Sequence, residues 1–230
     1  IMGGNTGHKN VIDFITIAST GTLSDFGDLN KDVAQASAFA SSTRGVHLGG
    51  STPVTSTNSI QFVTIATTGN AQDFGDLTSI RTSAGACSNS IRGLIGGGSN
   101  PNTTNAIEYL TIATTGNGLD FGDLSQKGST NCCSSPTRTV MMGRYGSPYG
   151  RANFIDYITT STLGDSSDFG DMTTDTNAVQ TVANAVRGVG CGGGNFFAYV
   201  NSNIKNSTYL GIDFDYDKMK KNKFFNLSTS

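Results

Sequence analysis

The sequence predicts an all-β fold: repeated four-stranded sheets that stack radially as the blades of a β-propeller, five in number. Three observations lead there. First, Asp-Phe-Gly-Asp occurs at residues 25–28, 73–76, 120–123 and 168–171, a spacing of about 48 residues, and periods of this size mark stacked or radial repeats. Second, the 230 residues include 30 Gly, no Trp and 4 Pro, with 14% charged side chains and abundant Thr, Ser and Asn. That composition suits pleated structure better than helix. Third, the run Ile60, Phe62, Val63, Ile65 and Ala66 is apolar on both faces. A strand wetted on one side alternates instead, so this one belongs between two neighbouring sheets. Radial stacking provides that environment and leaves only short edges. A linear solenoid needs polar caps, and the first unit shows none.

Each unit has room for four strands, taken in the order Arg-Gly strand, Thr-Ile-Ala strand, Phe-Gly-Asp strand and small-residue strand. The first ends in glycines: Gly49 and Gly50, Gly96 to Gly98, Gly143, Gly192 to Gly194. The second covers residues 11–18, 60–66, 107–113 and 154–160. Thr-Gly-Asn at 68–70 and 115–117 turns the chain into the third, because Gly and Asn accept left-handed backbone. The fourth is a stretch such as residues 82–88. The units run about 1–43, 44–91, 92–137, 138–186 and 187–230, as one domain spanning residues 1–230. The fifth copy is degraded: residues 209–214 take the place of the Thr-Ile-Ala strand and Phe225-Asn226-Leu227 that of Phe-Gly-Asp-Leu. Between them lies a charged insert with Lys218, Lys220, Lys221 and Lys223, read as a solvated loop. The sequence opens on Ile1-Met2-Gly3-Gly4, which reads as the end of a strand under way. An upstream segment that supplies the missing strand is therefore expected.

The glycine cluster, the aromatic-bearing strand after it and the recurring phrase before the next Arg resemble kelch-type propeller blades along nearly the whole chain. The sequence departs from that pattern where kelch blades carry Trp, since Phe26, Phe74, Phe121 and Phe169 stand there. The phrases Thr-Ile-Ala-Thr-Thr-Gly-Asn and Asp-Phe-Gly-Asp-Leu-Thr are similar to kelch-like repeats in virion structural proteins of marine tailed phages, cyanophages among them. The resemblance implies a non-enzymatic structural or interaction module: a tail fibre, appendage or capsid-surface component, assembled in the host cytoplasm and carried on the extracellular particle. Its implied partners are other virion proteins or a host surface receptor, with a homo-oligomeric appendage as one setting. Two other functions stay open: a host-receptor or glycan-binding head, and a hydrolase-type propeller enzyme.

The residues themselves weigh these functions. A net charge of −2 gives no footprint for nucleic acid or an anionic membrane. No apolar run is long enough to span a bilayer. Asp-Phe-Gly also belongs to protein kinases, but the nucleotide loop and His-Arg-Asp phrase are absent. Phe26, Phe74, Phe121 and Phe169 are expected to pack between blades, their glycines to let backbones approach, and Asp28, Asp76, Asp123 and Asp171 to tie off turns. Arg44, Arg92, Arg138 and Arg187 recur once per unit and are expected to pair with aspartates as part of the scaffold. Ser24-Asp25-x-Gly27 is at most an Asp-box-like fold device. His8 and His47 read as surface or loop residues, and Cys87, Cys132, Cys133 and Cys191 as free thiols. Asp213, Asp215 and Asp217 alternate as on a solvated edge strand, with calcium the alternative. No catalytic set, metal site or cofactor is implied.

Function on a rigid scaffold resides in loops, here residues 51–58, 143–152 and 195–207. The second of these holds Arg144, Tyr145, Tyr149 and Arg151, residue types enriched at interfaces, and is expected to be a partner contact. Tyr145, Tyr149, Phe196, Phe197 and Tyr199 are the aromatics that could stack on sugars.

Overall fold

A computed structural model describes residues 7–99, 101–146, 150–176 and 179–191. Among them there are sixteen strands and no helix. Three antiparallel meanders of four strands are complete. The second sheet is β3 (Ser37–Ala40), β4 (Arg44–Leu48), β5 (Ser59–Thr64) and β6 (Gln72–Asp76). The third is β7 (Gly85–Ser88), β8 (Arg92–Gly96), β9 (Ala106–Thr111) and β10 (Leu119–Asp123). The fourth is β11 (Ser129–Ser134), β12 (Arg138–Gly146), β13 (Gly150–Thr159) and β14 (Ser167–Thr176). A first sheet pairs β1 (Lys9–Phe14) with β2 (Ser24–Val33), and a fifth pairs β15 (Gln180–Ala183) with β16 (Gly188–Cys191). The all-β expectation holds, and the arrangement is propeller-like.

The grouping of strands differs from the sequence reading in one respect. The small-residue strand opens each sheet and pairs with the Arg-Gly strand that follows it, so sheets run 37–76, 85–123 and 129–176. The cause is turn chemistry. Asn89 Oδ1 accepts from the backbone N–H of Ile91 and Arg92, at 2.9 and 2.7 Å. Ser41, Ser135 and Asn184 do the same before Arg44, Arg138 and Arg187. Short side chains that bond backbone two or three residues ahead make tight hairpins. The link from β6 to β7 has no such device and crosses to the next sheet. In this phase β1–β2 are third and fourth strands, and β15–β16 are first and second. The fifth copy at 209–227 lies outside the described residues.

The apolar strand β5 is buried on both faces, as expected, with only Thr64 exposed, whereas β1, at the edge of the described sheets, buries only Ile12. The Thr-Ile-Ala phrase itself ends the strand rather than filling it. Thr67 N–H turns back to the Thr64 carbonyl, and Ile65 is half exposed. Each Phe of the fourth strand lies edge-on to an aromatic of the third, with ring centroids 5.8 Å apart for Phe62–Phe74, 6.1 Å for Tyr109–Phe121 and 5.9 Å for Tyr157–Phe169. Phe74 and Phe121 are 3% and 2% exposed, and Phe26 is buried as well. Burying such a ring stabilises by about 1.5–3 kcal/mol. Phe169 is 53% exposed: the turn of the next sheet that lies against Phe74 and Phe121 has no counterpart over Phe169 among the described residues.

Neighbouring sheets are joined by backbone. Gly69 N–H donates to Phe26 O at 2.7 Å and Ala71 N–H to Asp28 O at 2.8 Å. Gly116 and Gly118 bond Phe74 and Asp76 in the same way, and Gly164 and Ser166 bond Phe121 and Asp123. The Asn of Thr-Gly-Asn therefore does more than turn the chain: Asn70 and Asn117 Oδ1 each accept the N–H of the preceding sheet's Asp28 or Asp76 at 3.0 Å. The carboxylates of Asp28, Asp76 and Asp123 stand exposed, so it is the backbone of these aspartates that ties the structure. Glycine is obligatory in the motif. Gly27, Gly75 and Gly122 hold φ of +145°, +147° and +143°, and a Cβ on each would sit 2.4–2.5 Å from backbone of the next sheet.

Candidate functional site

Of the four recurring arginines, Arg44, Arg92 and Arg138 make side-chain contacts within the scaffold, and those contacts are not to aspartates. The Arg44 guanidinium lies 4.5 Å over the Phe62 ring and donates to Ile112 O of the next sheet at 2.8 Å. Arg92 lies 4.4 Å over Tyr109 and donates to Thr160 O at 2.8 Å. Arg138 stacks over Tyr157 at 4.5 Å and is exposed. Arg187 enters through its N–H to Asn184. A planar cation that stacks on a ring and still reaches a carbonyl suits arginine.

A second set of polar residues escaped the sequence reading. In the phrase Ile-x-aromatic the middle position is Gln61, Glu108 or Asp156, all buried. Each accepts the backbone N–H of the residue just past Phe-Gly-Asp-Leu in the preceding sheet: Asn30 at 2.9 Å, Thr78 at 2.9 Å and Ser125 at 3.0 Å. The two acids are also ion-paired, Glu108 with Arg81 and Asp156 with Arg144 at 3.0 Å. Burial pulls both guanidinium pKa values down, while the facing carboxylates oppose that shift. The recurrence of an acid or amide at 61, 108 and 156 could have revealed the set.

Arg144 is therefore not a partner contact. It is buried, donates to Gln126 O as well as Asp156, and occupies the place of Gly50 and Gly98. Nor is the segment around it an irregular loop. β12 and β13 extend into a long hairpin, with Tyr145 opposite Arg151 and Gly146 opposite Gly150. Tyr145 is 53% exposed and Arg151 is exposed. Tyr149 lies outside the described residues, as do residues 195–207 and Asp213, Asp215 and Asp217. In the 51–58 loop Thr52 and Thr55 bond each other and Val54 points into solvent.

His47 is not a surface residue: it is 2% exposed, and neither ring nitrogen has a hydrogen-bond partner. Burial lowers its pKa to about 4. His8 is half-buried, 3.3 Å from the Ser51 hydroxyl. The cysteines are free. Cys87, Cys132 and Cys133 are buried on the first strands of their sheets, and burial raises the Cys133 thiol pKa to about 11 and pushes Cys132 well above its ordinary value.

The first strands β3, β7, β11 and β15 contact one another in that order. The residues just before or at their starts, with Met142, Gly143 and Tyr145 of β12, line an open cavity of about 380 Å³. Its wall carries amides and hydroxyls from Gln35, Ser83, Ser129, Asn131 and Gln180 and small apolar faces from Ala36, Ala84 and Val179. No charged side chain among the described residues lines it. Among the described residues no three His, Cys, Asp or Glu side chains are grouped to hold a metal ion. No family model matches the sequence, and no curated protein does either.

Proposed function

We propose that this chain is a non-enzymatic interaction module: a kelch-like β-propeller of five blades that presents loops on a rigid disc, as a tail-fibre, appendage or capsid-surface component of a phage virion. What supports the module reading is where the chemistry-bearing residues are committed. Arg44 and Arg92 join ring to carbonyl across sheets, and Glu108 and Asp156 are enclosed with their arginines. These groups are structural partners of one another, which leaves the lengthened hairpin of β12 and β13 as the departure from the repeat. At nine and ten residues these strands exceed the five and six of β8 and β9. Tyr145 and Arg151 pair on that extension, and such residues make contact hot spots. The virion assignment rests on the resemblance of the repeat phrases.

The partner is another virion protein or a host surface receptor. Purified particles from infected cells, analysed by mass spectrometry and labelled with an antibody against residues 7–191, provide the test. The chain should be present at a fixed copy number and at one location. Its absence from washed particles would overturn the assignment.

A further inference from the structure

The cavity beside the starts of β3, β7, β11 and β15, half open to solvent, points to a ligand, and we infer that it binds a neutral polyhydroxylated compound, a mono- or disaccharide. This goes beyond the scaffold reading and does not depend on the virion assignment. At about 380 Å³ the cavity is within the roughly 300–1,000 Å³ range of small-molecule sites. Its polar groups are accessible: among the described residues, Gln35, Ser83 and Gln180 are exposed and Asn131 is half-buried, and four separate strands or their approaches bring them to one place.

Two of these residues hold costly backbone. Gln35 and Ser83 occupy equivalent positions, two residues before β3 and β7, and have φ of 53° and 52°. Left-handed backbone is uncommon outside glycine, and residues held there cluster at ligand clamps. The two are linked through Ser83 N–H to Gln35 O at 3.0 Å. A glycine at either position would relieve the strain, yet an amide and a hydroxyl stand there, facing the same space.

The wall chemistry selects the ligand class. Among the described residues no charged side chain is on the lining to compensate an anion or cation for the hydration it would give up there. Amides and hydroxyls both donate and accept, which matches a compound with many hydroxyls. The small apolar faces and the exposed Tyr145 ring suit its C–H surfaces.

The experiment uses the full chain in calorimetric titration and saturation-transfer NMR. The probes are glucose, galactose, mannose, N-acetylglucosamine and their disaccharides, with glucuronic acid as the charged comparison. At least one neutral sugar should bind, and glucuronic acid should bind more weakly than glucose. The double variant Gln35→Gly/Ser83→Gly should melt at the same or a higher temperature and bind about tenfold more weakly, since it loses two neutral hydrogen-bonding groups. Gln180→Ala, from a different strand, should also weaken binding, and Gln72→Ala, on the exposed part of β6, should leave it unchanged. Failure of every neutral sugar to bind, tighter binding of the charged sugar, or undiminished affinity in the double variant and in Gln180→Ala would each overturn the inference.

Discussion

Gly75→Ala isolates what joins one sheet to the next. The new Cβ would lie 2.5 Å from Gly116 O and 2.6 Å from Gly116 C, both backbone atoms, while φ is +147°. Two effects are present. Holding an alanine in that region costs about 1–3 kcal/mol. Forcing the β9–β10 turn away from β6 costs about another 1–3 kcal/mol, as overpacking does, and strains the Gly116 N–H to Phe74 O bond of 2.8 Å. The expected loss is about 2–6 kcal/mol. Gly170→Ala separates the two effects. Its φ is +130° in the same Asp-Phe-Gly-Asp motif, and a Cβ there meets nothing within 4 Å among the described residues, so only the backbone term remains, about 1–3 kcal/mol. Urea unfolding followed by circular dichroism gives both midpoints, and equal slopes make them comparable. Gly21→Ala, with open space and ordinary φ, should stay within about 0.5 kcal/mol. Equal losses for Gly75→Ala and Gly170→Ala would refute the claim that close backbone approach between sheets is the device that joins them.

Four further outcomes follow from the same contacts. Phe121→Ala should cost about 3–5 kcal/mol and Phe169→Ala about 1 kcal/mol or less, because the first ring is 2% exposed and the second 53%; matching melting shifts would contradict this. Arg92→Ala should cost about 2 kcal/mol, from a charged hydrogen bond and a ring contact, and more than Arg138→Ala, whose side chain keeps only the ring contact among the described residues. Arg81→Ala should cost about 3–5 kcal/mol by leaving the Glu108 carboxylate buried without its cation, whereas Glu108→Gln, which copies Gln61, should cost less; the reverse order in denaturation midpoints would rule out the ion-pair account. His47 has a folded pKa of about 4 against an ordinary 6.5, so the unfolded chain binds the proton first as pH falls. Stability should be constant above about pH 7 and drop by about 3 kcal/mol between pH 6.5 and 4. His47→Ile, which copies the buried Ile95 of the next sheet, should flatten that leg of the melting curve against pH.

The sheets and their contents were legible in the sequence because their causes are local. Alternation, turn residues and the repeat of Phe-Gly within Asp-Phe-Gly-Asp lie within a few residues of each other, and they specify strands, turns and burial on both faces. The sheet phase was not read correctly, since the deciding bonds from Asn89 and Ser41 involve side chains that also suit an ordinary loop. Arg144 was read as a contact because arginine beside tyrosine looks the same in a surface loop and in a buried pair. Only the antiparallel register of β12 and β13, together with Asp156, places its charge inside. The partners of Arg44 and Arg92 lie 68 residues onward, and Gln61, Glu108 and Asp156 reach back to another sheet. The sequence by itself determined the pleated, repeating units and the glycines on which their contact depends. The tertiary structure alone decided which polar groups are enclosed and which line the cavity at the starts of β3, β7, β11 and β15, because burial is a property of the whole array of sheets and no single repeat contains it.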